Sequence, residues 1–240
     1  MDIYSAVDGT GPDDNSDYMK EFANSHCKRL YAEWHGRAKR WERGPSLTGS
    51  ETQSLAVRQA RFAKTQYDAH PGSRIFLAGY SRGGAAAEVA CHILKRENVP
   101  VHCLLLFDAV DRSSVDTPGV PDNVDHCFHA MRDPRTASRE IFGNCSTEKL
   151  GGRKMIKQKF YGTHGAIGGV PQTETGFLMD TVVELHLGGA TAMSALGGLA
   201  GTYTAAQTRN TNVTPAQNIL ASAQIWIWMQ QHLLTARNAT

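Results

Sequence analysis

Apolar residues along the chain fall into short runs and helical stripes that alternate. Ile3 to Val7 predicts a first strand, stopped by the glycine turn Asp8-Gly9-Thr10-Gly11. Phe22, Leu30, Tyr31 and Trp34 recur at helical spacing, so Tyr18 to about Trp41 predicts one helix, ended by Gly44-Pro45. Ser50-Glu51-Thr52-Gln53 reads as a capping box, opening a helix through Leu55, Val57, Phe62 and Tyr67 that stops near His70-Pro71-Gly72. Arg74 to Ala78 predicts a strand, and the helix after it runs to about Arg96. The apolar run of Val101 to Val110 has the character of a buried parallel strand. Val124 to Ala130 and Lys154 to Tyr161 predict two more. The remainder reads as helical: Thr175 to His186, a Gly/Ala-rich stretch to Ala206, and a last helix opened by Thr214-Pro215. That helix carries Ile219, Ala223, Trp226, Ile227 and Leu234 as its core stripe. No repeat or linker interrupts the pattern, which predicts one α/β domain over residues 1–240 with a mainly parallel sheet flanked by helices.

The chemistry enters at Gly79-Tyr80-Ser81-Arg82-Gly83, between a predicted strand and a small-residue helix beginning Gly84-Ala85-Ala86-Ala87. Gly-x-Ser-x-Gly in that setting is a nucleophile elbow, the mark of the α/β-hydrolase fold. The turn is so sharp that the positions two residues either side of the serine must lack bulk. The helix behind it aims its N-terminal N–H groups at charge developing in acyl transfer.

A serine hydroxyl is a weak nucleophile and needs a base oriented by a third group. In this fold the chain order is serine, acid, histidine. Asp108, Asp133 and His164 follow three successive predicted strands, and ligands of parallel sheets sit beyond those ends. His164, between Gly162 and Gly165, is the candidate base, since the other histidines after Ser81 fall within strands or helices. Asp133 occupies the usual acid position and stands slightly ahead of Asp108; Asp111 and Asp125 read as surface residues. The Arg82 N–H and the Gly9-Thr10 turn are the candidate oxyanion-hole donors, with Asp8 placed to hold that turn.

Composition narrows the alternatives. Of 240 residues, 41% are hydrophobic and 20% charged, with a net charge of +2, which gives no reason to invoke nucleic acid. Five aspartates precede Lys20, and a basic stretch follows to Arg43, the pattern of a solvated face. The five cysteines (Cys27, Cys91, Cys103, Cys127, Cys145) are dispersed and read as reduced, buried hydrophobes. His126-Cys127-Phe128-His129 lacks a second ligand pair at zinc spacing, and no phosphate-cradling glycine loop is present, so neither metal nor cofactor is expected. The first residues lack a cleavable signal peptide, which places the protein in the cytoplasm or among proteins exported without one.

The ordered set of motifs resembles the α/β-hydrolase domain of type VI secretion phospholipase effectors of the Tle1 kind. Asp8-Gly9-Thr10 is similar to that family's Asp-Gly-Thr, and Gly79-Tyr80-Ser81-Arg82-Gly83-Gly84-Ala85 to its elbow. Phe107-Asp108-Ala109-Val110 resembles its Trp-Asp-Thr-Val strand end. His129-Ala130-Met131-Arg132-Asp133-Pro134-Arg135 and Gly162-Thr163-His164-Gly165-Ala166-Ile167-Gly168-Gly169 resemble two further stretches. The resemblance spans roughly residues 3 to 170. It implies Ser81 as nucleophile, His164 as base, Asp133 or Asp108 as acid, and hydrolysis of a lipid or phospholipid ester, with peripheral contact to a membrane. Ala166 and Ala109 depart from the family pattern at positions where it has an acidic residue and Thr. The Gly/Ala-rich stretch is a candidate apolar cap over the site. Two competing readings are a cutinase-like or small-ester esterase and a catalytically inactive binding module on the same fold.

Overall fold

The computed structural model describes residues 1–46, 48–111, 115–138, 143–151, 155–170 and 211–239. The expected helix over Thr175 to His186 and the candidate cap lie outside the described residues. Six strands form one parallel sheet in the order β2-β1-β3-β4-β5-β6. They are β1 (Asp2–Val7), β2 (Lys39–Glu42), β3 (Arg74–Tyr80), β4 (Val101–Phe107), β5 (Val124–Arg132) and β6 (Met155–Phe160).

The central strands are near-continuous apolar runs because both of their faces are covered. On one face Tyr4, Phe76, Tyr80, Leu105, Phe107 and Phe128 pack beneath α1 (Asn15–Glu21), α2 (His26–Glu33) and α6 (Pro215–Asn238). On the other, Ile3, Ile75, Leu77, Leu104 and Leu106 pack beneath α3 (Thr52–Ala69) and α4 (Arg82–Arg96). The period-two alternation of strand side chains thus splits each run between two helical layers. This is the α/β-hydrolase architecture: a parallel sheet flanked by helices, with Ser81 at the end of a central strand.

The chain runs from β1 outward to β2, then returns across β1 to β3. The direction of winding therefore reverses between β1 and β3. In parallel sheets the crevice beyond the carboxyl ends at such a reversal is where ligands bind. The Asp8-Gly9-Thr10 turn and Ser81 stand on either side of it.

Three local expectations give way. The single helix predicted from Tyr18 to Trp41 is two helices and an edge strand. Ser25 caps α2, its Oγ accepting from Lys28 N–H at 3.2 Å, and Lys39–Glu42 pairs with β1. The capping box at residues 50–53 does not form: the Glu51 carboxylate accepts from Ser46 Oγ at 2.8 Å, and Thr52 Oγ1 donates to Gly49 O at 2.7 Å. On α6 the buried set is Asn218, Ala221, Ile225, Trp228, Met229, Leu233 and Ala236, whereas Ile219, Ile227 and Leu234 face outward. The Thr214 cap does form, reciprocally with Gln217. All five cysteines carry free thiols. Among the described residues no helix is long and apolar enough to cross a membrane.

Candidate active site

Ser81 sits between β3 and α4 with φ 55° and ψ −128°, a left-handed conformation that non-glycine residues rarely adopt. Its backbone is tied down on both sides. The Ser81 N–H donates to Phe107 O at 3.0 Å, and Ser81 O accepts from Val110 N–H at 3.1 Å. The flanking glycines are sterically required: a Cβ on Gly79 would strike the Gly83 carbonyl, and one on Gly83 the carbonyls of Val7 and Asp8. The elbow holds its serine because three backbone segments meet there too closely for any side chain.

His164 opens α5 (His164–Gly168), a five-residue helix capped by Thr163, where the sequence predicts a bent loop. Its backbone is fixed from three directions. The His164 N–H donates to Ser138 Oγ at 3.1 Å, and the Thr163 N–H to Asn218 Oδ1 on α6 at 2.9 Å. The Tyr80 hydroxyl donates to His164 O at 3.2 Å. The ring is fully buried, with Nε2 2.9 Å from Ser81 Oγ and Nδ1 2.7 Å from Asp108 Oδ2. The contact with an ionised carboxylate assigns the ring proton to Nδ1, which leaves the Nε2 lone pair facing the serine hydroxyl.

Asp108 follows β4, also at positive φ (43°), and is wholly buried. Burial by itself would raise its carboxyl. The His164 hydrogen bond, the Arg132 guanidinium and the Asn144 amide outweigh that and hold it well below the usual carboxylate range. Asp133, the slightly favoured acid in the sequence, is not brought to His164. Its N–H donates to Phe160 O at 2.9 Å, and its carboxylate accepts from Arg135 N, Nε and Nη2 at 2.6 to 3.1 Å. That hydrogen bonding, led by the Arg135 side chain, lowers Asp133 to about 2. Of the two aspartates, the fold joins Asp108 to the histidine because β5 runs on past Ala130 to Arg132 and turns Asp133 aside.

The Gly9-Thr10 turn lies against Ser81, since a Cβ on Gly9 would come within 3.0 Å of Ser81 Cβ. Gly9 O accepts from the Tyr18 hydroxyl at 2.7 Å, and Thr10 Oγ1 accepts from Arg82 Nη1 at 3.2 Å. Beneath the turn, Asp8 Oδ2 accepts from Ser25 Oγ at 2.5 Å and Trp41 Nε1 at 2.7 Å. Burial pushes the Asp8 carboxyl up to about 7 despite those bonds and the nearby Gly9 N–H. Arg82 is the first residue of α4, where N–H groups have no intrahelical carbonyl.

Sequence reasoning does not find Arg132, Asn144 or His129. Arg132 and Asn144 bond Asp108, while His129 Nε2 accepts from the Ala109 N–H at 3.0 Å. His129 is buried and lowered by that burial to about 4, so it stays neutral, its Nδ1 donating to Ser146 O at 3.2 Å. A basic residue at the end of β5 was the one available signal; Asn144 lies in a loop that carries none.

No protein family and no curated protein matches the sequence. Solved structures similar to it include the RedJ thioesterase of the prodiginine biosynthetic pathway in Streptomyces coelicolor. It shows 12% identity and a TM-score of 0.39 over 76% of this chain and 85% of that one. Another is YbtT, a type II thioesterase from the yersiniabactin biosynthetic pathway, with 13% identity and a TM-score of 0.34 over 76% and 92%. Overlaps this loose carry no argument about chemistry. The fold class stands on the strand order, the two helical layers and the elbow.

Proposed function

We propose that the chain is a serine hydrolase that cleaves a carboxylic ester through an acyl-enzyme, with Ser81 as nucleophile, His164 as base and Asp108 as the acid that orients it. The observation that carries this reading is the hydrogen-bonded line Ser81 Oγ, His164 Nε2, His164 Nδ1, Asp108 Oδ2, with both links under 3 Å. Ser81 Oγ attacks the ester carbonyl as its proton passes to His164 Nε2. The tetrahedral oxyanion is met by the Arg82 N–H and by an N–H of the facing Gly9-Thr10 turn, which lies against Ser81. The imidazolium returns the proton to the departing alcohol. Water then attacks the acyl-serine by the same route and releases the acid. None of these steps calls for a cofactor.

The substrate class rests on the motif resemblance: a lipid or phospholipid ester, met at a membrane surface. Turnover of p-nitrophenyl butyrate and palmitate by wild type and Ser81→Ala tests both levels. Preference for palmitate supports the lipid ester, and preference for butyrate the small-ester reading. No turnover of either ester, or equal turnover by Ser81→Ala, counts against the hydrolase itself.

A further inference from the structure

Asp108 is held by more than the histidine. Arg132 Nη1 lies 2.6 Å from Oδ2, the same oxygen that His164 Nδ1 reaches at 2.7 Å. The Arg132 backbone N–H donates to Oδ1 at 3.2 Å, and Asn144 Nδ2 donates to it at 2.6 Å. Arg132 is 6% exposed and Asp108 is fully buried, so solvent screens neither charge well. A serine triad requires only that one carboxylate oxygen face Nδ1. A permanent cation on that oxygen is an addition, and it acts on the imidazole in two ways. It fixes the carboxylate in place and keeps it ionised where burial alone would favour the neutral acid. It also cancels part of the negative field at the ring, so imidazolium forms less readily.

We propose that Arg132 is a positioning residue of this site: a built-in cation that steadies Asp108 against His164 and extends the base's working range to lower pH. The inference rests on the serine-hydrolase reading above. Several groups face the pair. β3 presents Tyr80, whose ring centroid is 5.0 Å from that of His164, and the elbow presents Ser81. β5 presents His129 beside Arg132, and α6 presents the uncharged Asn218. His26 of α2 lies at Gly169, at the far end of α5, and burial lowers it to about 3, which keeps it neutral. Among these groups Arg132 is the permanent cation in contact with the carboxylate.

The test compares Arg132→Gln, which keeps a donor and loses the charge, with Arg132→Lys, which keeps the charge. Arg132→Met serves for the charge loss should the glutamine variant fail to fold. The first readout is the His164 imidazole titration followed by nitrogen-15 NMR, which needs no activity; the second is the acid limb of kcat/KM. A guanidinium that shares Asp108 Oδ2 with His164 Nδ1 in a poorly screened site predicts that charge loss moves both upward by roughly one to two pH units. KM should stay within about twofold, because Arg132 is buried behind Asp108, which it holds through its backbone and its guanidinium. The lysine variant should titrate like wild type. An unmoved His164 titration in the neutral variants, or an equal shift in Arg132→Lys, overturns the proposal. A wild-type protein with no esterase activity, together with a shifted His164 titration in the charge-loss variants, would instead remove the hydrolase reading and leave the electrostatic one standing.

Discussion

Ser81 Oγ and His164 Nε2 stand 2.9 Å apart although 83 residues separate them in the chain. β3 delivers the serine and the end of β6 the histidine, two strands with β4 and β5 between them in the sheet. The Thr163–Asn218, Tyr80–His164 and His164–Ser138 bonds bring the imidazole back across those strands to the elbow.

The two aspartates should behave very differently. Asp108→Asn removes the carboxylate that selects the His164 tautomer and should lower kcat by about 10⁴. Asp133→Asn breaks a surface pairing with Arg135 and should leave kcat within about twofold. Steady-state kinetics on the two purified variants checks this; comparable losses would contradict the assignment of Asp108.

The elbow's glycines should be intolerant of a single methyl group. Gly83→Ala drives Cβ into the carbonyls of Val7 and Asp8, backbone atoms that cannot swing away. The expected cost is about 3 kcal/mol or more, read as a large fall in Tm or failure to fold. Gly72→Ala has open space around it and strains only a φ of 81°, so about 1 kcal/mol is expected.

Asp8 should make stability depend on pH in the direction opposite to a salt-bridged carboxylate. Its folded pKa of about 7 lies above the unfolded value near 4, so the native state holds the proton more tightly between those limits. The stability it contributes is present below pH 4 and is lost as pH rises toward 7. Asp8→Asn cannot ionise and should therefore gain on wild type across that window, by at most about 4 kcal/mol, and then stay level. Urea unfolding of both proteins at several pH values measures the difference directly. A constant gap would show that Asp8 does not titrate there.

Much of this architecture was legible because strands buried on both faces write themselves as apolar runs, as Phe76 and Leu105 illustrate. The sharp turn at Ser81 is legible because Gly79 and Gly83 answer a local steric demand. The carboxylate beside His164 is not, since Asp108 and Asp133 both end strands, and only the third dimension shows which one reaches the ring. β2 was hidden because Lys39, Arg40 and Glu42 on an edge strand carry the composition of a solvated helix. The buried face of α6 is not legible because large apolar residues stand on both its buried and its exposed sides. Ile219 and Leu234 on the outside then look no different from Ile225 and Leu233 beneath.

The central claim is that Ser81 is an activated nucleophile. A fluorophosphonate probe followed by peptide mass spectrometry tests it most directly. The account predicts stoichiometric phosphonylation at Ser81 in wild type, none in Ser81→Ala, and strongly slowed labelling in His164→Ala. A folded wild-type protein that stays unmodified, or carries its adduct on another residue, would contradict it.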